Sequence, residues 1–500
     1  MRNHDDQNNQ RSTKRLSVFA VKNKHNTCIM KKFSFGIIGL GTMGGNFILN
    51  INDHGFSVAG YDKDKVKTDA LNAERSTDLF EAFSDLPAFM NSLETPRNII
   101  LLVPAGKIVD IVINELKPYW GDNDVIIDCG NSHFTDTQRR VNELSGENIH
   151  FMGMGISGGE TGARYGASIM PGGDKEAHAR IAPMLNAVCA KVDGEPCTAY
   201  MGNGAAGHYV KMVHNGIEYA IMQTLSECYH LMKVYARMNN AEIQQTFDQW
   251  NKGRLQSFLV EITAAIFKQP DDLKEGELVD WILDTAAQKG TGAWTSQDAA
   301  NVASPIPVID AAVSQRIISA MRAQRQIAAK QSPVEVSEEV VNKEALLKQL
   351  EAALYSTYII CYAQGFQMLA NASEEYKYNI TLSSVASIWR GGCIIRAAML
   401  VPIKKAFAAD AELKNIMLND FFAKELYEAK EAFQSVVSQA FATGIPVPAL
   451  SSALNYYLSY HSGWLPANLI QAQRDFFGAH TYQRNDREGT FHTNWNQTIH

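Results

Sequence analysis

The sequence predicts an α/β domain with a parallel sheet, then a large all-α domain, and finally a C-terminal tail. Over residues 33–205, apolar runs alternate with helical segments, which is typical of a parallel sheet covered by helices on both faces. Over residues 206–460, Ala, Met, Leu and Gln are frequent and two long stretches lack proline, so long helices can form. Glycine, proline and aromatic residues predict an irregular tail over residues 461–500.

Four apolar runs are predicted to be strands of the first domain. They read "FSFGIIGL", "FSVAGYD", "NIILLVPAG" and "DVIIDCGNS". Each is short and continuously apolar, as expected for a strand buried on both faces. A glycine-rich turn and a helical stretch separate the first two runs, which predicts a βαβ unit.

Composition excludes several classes of protein. At 500 residues the chain is too long for one ordinary domain. A formal net charge of −7 argues against general nucleic-acid binding. No apolar run approaches the ~20 residues of a membrane helix. The seven cysteines have no metal-like spacing, so we expect no metal site, and reduced thiols in a cytoplasmic protein.

The first 32 residues are polar and of mixed charge, without the apolar core of a signal peptide. We expect residues 1–32 to be a disordered extension. Met30, just before the first predicted strand, is a candidate start of the folded protein.

A dinucleotide-binding motif follows the first predicted strand. Gly39-Leu40-Gly41-Thr42-Met43-Gly44 has the pattern G-x-G-x-x-G and opens a predicted helix. Glycines there permit a tight turn and a close approach of backbone to a pyrophosphate, which the helix N-terminus attracts. The first domain is therefore predicted to be of the Rossmann type. The alternative is an ordinary tight turn between strand and helix.

The end of the second strand bears on the choice between NAD and NADP. It reads Tyr61-Asp62-Lys63-Asp64. An acid about 20 residues past the glycine motif usually accepts a hydrogen bond from the ribose hydroxyl of NAD. Asp62 therefore favours NAD, whereas Lys63 could neutralise the 2′-phosphate of NADP. The alternative is that Asp62 only caps a turn.

A predicted helix, "HYVKMVHNGIEYAIM", carries four polar residues on one face. Residues on a helix are ~100° apart, which places Lys211, His214, Asn215 and Glu218 within one arc of roughly 100°. Such a stripe can simply face water. His and Asn are unusual for a solvated face, however, and the small residues of "MGNGAAG" before the helix allow a ligand or another chain to come close.

The chemistry of this face suggests an acid and a base. A lysine in a dry site has a lowered pKa and can accept a proton. Glu218 lies two turns further on, ~10 Å away by helix rise, where it could act as an acid at the far end of a small substrate.

The chain resembles the 6-phosphogluconate dehydrogenase family of the pentose phosphate pathway, from about Phe33 to Tyr482. The resemblance rests on "GLGTMGGN", "IIDCGNS", "SGGETGARYGASIMPGG", "GHYVKMVHNGIEY", "DTAAQKGTGAW", "WRGGCIIR" and "ANLIQAQRDFFGAHTY". It implies oxidative decarboxylation of 6-phosphogluconate without a metal ion. Lys211 would be the general base and Glu218 the acid that protonates the enediol carbon.

The resemblance also implies further site residues. Ser157, Gly158 and Gly159 would bind the substrate carboxylate, and Asn131, His214 and Asn215 its hydroxyls. Tyr219, Lys289, Thr291 and Arg316 would form the phosphate site. The cofactor would contact Gly39, Gly41, Thr42, Met43, Gly44, Asp62, Lys63, Asp64, Val103 and Asn131. Arg474 and His480 would reach the active site of a partner subunit, which implies a homodimer.

Departures from the family pattern cluster near the cofactor. Asp62-Lys63-Asp64 stands where NADP-dependent members usually have Asn-Arg-Thr, and Pro104 replaces a usual lysine. Lysine is a poorer planar partner than arginine for adenine and phosphate. The expected cofactor is NADP, with NAD as an open alternative.

Two other functions are compatible with parts of the sequence. A β-hydroxyacid dehydrogenase for a smaller acid would share the glycine motif and the lysine helix, but would be shorter and lack "QKGTG" and "RDFFGAH". A non-catalytic dinucleotide sensor would have lost Lys211 or Glu218, and both are present.

Overall fold

The computed structural model describes residues 32–288, 290–333 and 342–495. The predicted extension over residues 1–32 lies outside this range, except for its last residue. The proposed start at Met30 lies outside it too.

The first part of the chain forms the predicted Rossmann-type sheet. Seven strands lie in the order β3-β2-β1-β4-β5-β6-β7, all parallel except β7, which pairs antiparallel with β6. The strands are Phe35–Ile38 (β1), Val58–Tyr61 (β2), Phe80–Phe83 (β3), Asn98–Leu101 (β4), Val125–Asp128 (β5), His150–Ser157 (β6) and Ser168–Gly172 (β7). The helices are Thr42–Asp53 (α1), Lys65–Ala73 (α2), Leu86–Asn91 (α3), Lys107–Leu116 (α4), Phe134–Ser145 (α5), Gly159–Tyr165 (α6) and Lys175–Val188 (α7), and a small hairpin pairs Lys191–Val192 (β8) with Glu195–Pro196 (β9).

All four predicted strands are confirmed as β1, β2, β4 and β5. Every residue of these strands is buried, because helices cover both faces of the sheet and create an apolar layer on each side. The edge strand β3 alternates between buried and half-buried residues, and β6 contains two glycines. Strand β7 reads SIMPG, so its apolar residues are interrupted too. None of these three strands has a continuous apolar run, so the sequence pattern did not reveal them.

The second part is helical, as predicted. Its helices are Ala206–His230 (α8), Asn240–Trp250 (α9), Phe258–Ile266 (α10), Thr291–Asn301 (α11), Pro307–Ala320 (α12), Arg322–Gln331 (α13), Lys343–Glu375 (α14), Leu382–Ile388 (α15), Leu400–Ala409 (α16), Asp420–Ala442 (α17), Pro448–Tyr460 (α18) and Ala467–Gly478 (α19). One apolar cluster joins most of these helices around α8 and α14, but α13 and α19 contribute no residue to it. Among the described residues, no helix is long and apolar enough to cross a membrane.

The expected irregular tail is wrong in one respect, because it contains α19. The helix exposes large apolar side chains, including Leu469, Ile470 and Phe477. A short bridge between Tyr482 and Phe491 follows it. The pattern obscured this helix because its apolar residues have no core of the same chain to face.

The start of α8 lies directly on the sheet backbone. Gly153 and Gly172 are opposite each other in the β6–β7 pair, and Gly207 of α8 sits over them. A Cβ on Gly207 would come within 2.2 Å of the Gly153 carbonyl oxygen and 2.4 Å of that of Met170. A Cβ on Gly155 would lie 2.4 Å from the Cβ of Lys211. These glycines therefore set how closely α8 approaches β6.

We expect Gly207→Ala to lower the free energy of unfolding by about 1–3 kcal/mol, because the added methyl group overpacks this contact. Gly45→Ala is the matched control, since a Cβ there meets nothing closer than 3.9 Å and alanine favours the helix. Thermal unfolding followed by circular dichroism measures both. A Gly207→Ala variant that melts with the wild-type protein would contradict the close-packing argument.

Candidate active site

The glycine motif has the geometry that a dinucleotide requires. Gly39 has φ +96°, a conformation that favours glycine. A Cβ on Gly44 would lie 1.9 Å from the Gly39 carbonyl oxygen, whereas a Cβ on Gly41 would meet nothing within 4 Å. The first and third glycines thus permit the turn and the helix packing, and the second leaves open space before Thr42 and Met43 at the start of α1 for a pyrophosphate.

Asp62 anchors this turn and borders the adjoining cavity. Its Oδ2 accepts a hydrogen bond from the Leu40 N–H at 2.9 Å, and its Oδ1 accepts one from the Asp64 N–H at 2.9 Å. Burial opposes ionisation of Asp62, but these N–H donors and Lys67 outweigh it and lower its pKa. Asp62 therefore does cap a turn, and it also fixes the glycine motif.

A cavity of about 230 Å³ lies between the ends of β1 and β2 and helix α4. Gly39, Asp62, Lys63, Val103 and Glu115 are among its lining residues. Asp64 lies just outside, where its side chain caps α2 by accepting from the Val66 N–H. The cavity has the position expected for the adenosine end of a dinucleotide bound at the glycine motif.

The polar face of α8 points into the protein and not into bulk water. The exposed fractions are 8% for Lys211, 0% for His214 and 9% for Asn215, and 21% for the Glu218 side chain. The opposite face, including Val213 and Ile217, belongs to the helical core. Three of the four polar residues are thus buried beside β6 of the sheet, and Glu218 is partly exposed.

Burial moves the pKa values of the acid and the base towards each other. Desolvation lowers the pKa of Lys211, although the charge of Glu218 partly restores it. Desolvation raises the pKa of Glu218, against the charges of Lys211 and Arg316. Neutral forms of both groups are favoured, which is the state needed for a base and an acid that act in turn.

His214 connects α8 to the turn after β6. Its Nε2 lies 3.2 Å from Ser157 Oγ and its Nδ1 lies 3.1 Å from Asn215 Oδ1. Gly158 and Gly159 follow with φ +119° and +62°, and a Cβ on Gly159 would meet nothing within 4 Å. Ser157, both glycines, His214 and Asn215 therefore form one polar surface beside Lys211.

The loop that carries Asn131 is held by buried charges that the sequence reasoning missed. Asp128 accepts hydrogen bonds from the Gly130 N–H and from Ser132 Oγ, at 2.9 and 2.6 Å. The fully buried Arg140 lies 3.5 Å from Asp128. Asn131 itself is exposed in this loop, after β5 and at the carboxyl edge of the sheet, where ligands of such folds bind.

Three of the four predicted phosphate residues lie together. The Arg316 guanidinium stacks 3.4 Å from the centre of the Tyr219 ring, and a Cβ on Gly292 would lie 2.5 Å from that ring. Thr291 begins α11 directly before Gly292. Lys289 lies outside the described residues. The cluster follows Glu218 on α8, so it extends the polar site away from Lys211.

Arg474 and His480 lie apart from this site within their own chain. Arg474 Nη1 donates to Gln471 Oε1 within α19, at 3.0 Å, and His480 is exposed. Between them, the buried Asp475 accepts from the N–H groups of Thr481 and Thr493 at 2.8 and 3.1 Å. Asp475 thus holds the residues after α19 against the helix, a role that no sequence signal indicated.

No cluster of three or more His, Cys, Asp or Glu side chains suited to a metal ion occurs among the residues the structure describes.

Family models match both parts of the chain. The NAD-binding domain of 6-phosphogluconate dehydrogenase matches residues 34–202, and the C-terminal domain of the same enzyme matches residues 207–495. The chain belongs to the 6-phosphogluconate dehydrogenase family. The second match includes α19 and the residues after it, so the family assignment extends over the C-terminal tail.

Relatives of this family cover nearly the whole chain. It is 49% identical over 467 residues to the "6-phosphogluconate dehydrogenase, NADP(+)-dependent, decarboxylating" of Bacillus subtilis, and 46% identical over 468 residues to the decarboxylating enzyme of Escherichia coli. Each match covers 93% of this chain and 100% of the relative. This length does not support the alternative of a shorter β-hydroxyacid dehydrogenase.

A solved family member has the same fold. The 6-phosphogluconate dehydrogenase of Plasmodium falciparum, described as apo, with its cofactor NADP+ and with its substrate 6-phosphogluconate, is 39% identical and superposes with a TM-score of 0.89. The superposition covers 92% of this chain and all of the other. Both parts of the fold are therefore arranged as in this enzyme.

The electrostatic coupling in α8 generates a pH prediction. We expect Glu218→Gln to move the acidic limb of the residual oxidation rate to lower pH. The negative charge that raises the pKa of Lys211 is then absent, so the lysine stays neutral at a lower pH. Stopped-flow measurement of cofactor reduction across pH tests this.

The matched control is Glu227→Gln on the same helix. The Glu227 carboxylate accepts from the N–H groups of Ala449 and Leu450 at the start of α18, away from the polar face of α8. It should leave the acidic limb in place. A limb unmoved by Glu218→Gln, or moved to higher pH, would contradict the coupling between Lys211 and Glu218.

Proposed function

We propose that this chain catalyses the oxidative decarboxylation of 6-phosphogluconate to ribulose 5-phosphate and carbon dioxide with NADP. The observation that carries the proposal is the buried Lys211 and the largely buried Glu218 on one face of α8, between the carboxyl edge of a dinucleotide-binding sheet and the Arg316–Tyr219 cluster. Family membership and the NADP-dependent relative support the substrate and the cofactor.

The chain supplies the acid–base chemistry. The neutral amine of Lys211 takes the proton of the hydroxyl β to the carboxylate as the C–H bond of that carbon breaks. NADP, when bound, accepts the hydride. The resulting β-keto acid loses carbon dioxide because the keto oxygen accepts the electron pair, and Lys211, now protonated, donates to that oxygen. Glu218 then protonates the enediol carbon, and Lys211 takes back the proton of the enediol hydroxyl, which leaves the ketone of ribulose 5-phosphate.

The other site residues hold the substrate in place. Ser157, Gly158 and Gly159 bind its carboxylate, and Asn131, His214 and Asn215 hold its hydroxyls. Its phosphate lies at Tyr219, Thr291 and Arg316, with Lys289 assigned from the family motif alone. The contacts support this placement, because Ser157 contacts His214 between Lys211 and Glu218, whereas Arg316 stacks on Tyr219 just beyond Glu218.

The decisive experiment follows reduced cofactor and released carbon dioxide together, with 6-phosphogluconate and with gluconate. Both products should appear in equal amounts from 6-phosphogluconate. Arg316→Met should raise KM for 6-phosphogluconate by about 10- to 100-fold, because a charge-assisted hydrogen bond is lost. Gluconate should be a poor substrate and insensitive to this change.

The control is Arg322→Met at the start of α13, whose guanidinium pairs with Asp284 at 2.8 Å. It should leave KM for 6-phosphogluconate unchanged. Cofactor reduction without carbon dioxide, or equal use of gluconate, would refute the proposed reaction.

We further propose a cytoplasmic homodimer in which residues 461–500 of one subunit complete the active site of the other with Arg474 and His480. The exposed Leu469, Ile470 and Phe477 on α19 support this, because large apolar side chains in one patch mark an association surface. The six described cysteines are free and buried, as expected in a reducing compartment.

Subunit complementation tests the shared site. Lys211→Met should reduce turnover by about 10²- to 10⁴-fold, because the base is lost. Arg474→Met should reduce turnover less severely, because only a binding group is lost. After joint unfolding and refolding, the mixture should recover roughly a quarter of wild-type activity, because half of the dimers are hybrids with one intact site. No recovery in a mixture that contains hybrids would contradict the exchange of the tail.

A further inference from the structure

The cavity beside the glycine motif contains an ion pair that bears on cofactor choice. Lys63 Nζ lies 2.7 Å from Glu115 Oε1, and both residues line the cavity. Lys63 comes from the segment after β2, whereas Glu115 comes from α4 on the other side. The pair therefore spans the place where the adenosine ribose of a dinucleotide would lie.

The lysines of this segment are already engaged by carboxylates. Lys65 pairs with Asp69 at 2.7 Å and Lys67 pairs with Asp62 at 3.2 Å. Among the described residues that line the cavity, Lys63 is the one cation, and Asp62 and Glu115 are both anions. A 2′-phosphate in this cavity would meet one cation that is already paired and two negative charges.

Asp62 retains the capacity to bind a ribose hydroxyl. A carboxylate offers about four lone-pair sites, and three are taken, by the N–H groups of Leu40 and Asp64 and by Lys67. The hydroxyl of NAD can donate to the remaining site without disturbing the Lys63–Glu115 pair.

We propose that Glu115 sets the cofactor selectivity of this chain by holding Lys63 away from the 2′-phosphate of NADP, which leaves NAD usable as a second cofactor. The proposal rests on the proposed function for its biological meaning. Its physical basis is competition between two anions for one lysine. The Lys63 side chain is 67% exposed, so it is free to reorient when Glu115 is replaced by glutamine.

Ligand binding tests this independently of turnover. The probes are adenosine 2′,5′-bisphosphate and adenosine 5′-monophosphate, which differ only in the 2′-phosphate, and calorimetry on the full-length protein gives Kd for each. Glu115→Gln should tighten binding of the bisphosphate by about three- to tenfold, because a competing and repelling carboxylate is removed. Binding of the monophosphate should change by less than about twofold.

A second substitution identifies Lys63 as the group released. Lys63→Gln should weaken bisphosphate binding by less than about twofold in the wild-type background, where Glu115 holds the lysine. It should weaken binding by about three- to tenfold in the Glu115→Gln background. This non-additivity is specific to competition and would not arise from a general structural change.

The matched control is Glu147→Gln. Glu147 pairs with Lys117 at 2.7 Å on the surface and does not line the cavity, so this change should alter neither affinity. KM values for NADP and NAD should follow the binding data. An unchanged bisphosphate affinity in Glu115→Gln, an equal gain for both probes, or the same loss from Lys63→Gln in both backgrounds would overturn the proposal. Failure to oxidise 6-phosphogluconate would refute the proposed function and leave this binding test intact.

Discussion

The close contact between α8 and the backbone of β6 and β7 is the constraint on which the candidate site depends. Gly153, Gly172 and Gly207 remove the side chains that would keep the helix away from the sheet. The polar face of α8 therefore packs against the sheet, while its apolar face packs against the helical core. Without this approach, the face that carries Lys211 would be an ordinary hydrated stripe.

Burial of that face determines its chemistry. A lysine and a glutamate two turns apart would both be charged in water. Inside the protein each loses hydration, and the pKa of Lys211 falls while that of Glu218 rises. Their mutual attraction opposes this shift without cancelling it. The packing of α8 against the sheet thus brings an amine whose pKa is lowered and a carboxyl group whose pKa is raised to the same face of one helix.

The cofactor end of the site follows a different principle. There the groups are exposed or half-exposed, and charge pairing matters more than desolvation. Asp62 is tied to the glycine motif by the Leu40 N–H, and Lys63 is tied to α4 by Glu115. The residues proposed for acid–base chemistry and those proposed for cofactor choice therefore lie in separate parts of the structure.

The sequence by itself determined those elements that a pattern of neighbouring residues predicts. The glycine motif follows from a short spacing, the strands β1, β2, β4 and β5 from continuous apolar runs, and the shared face of Lys211 and Glu218 from helical periodicity. It did not reveal β3, β6 and β7, which lack such runs, or α19, whose apolar side chains have no core of their own chain to face.

Only the tertiary structure decided that the polar face of α8 is buried, and that Arg316 stacks on Tyr219. The tertiary structure also shows that Glu115 pairs with Lys63, which lies 52 residues earlier in the chain. Such contacts join residues far apart in the chain, and no periodicity or spacing records them, because they depend on how the helices and the sheet pack.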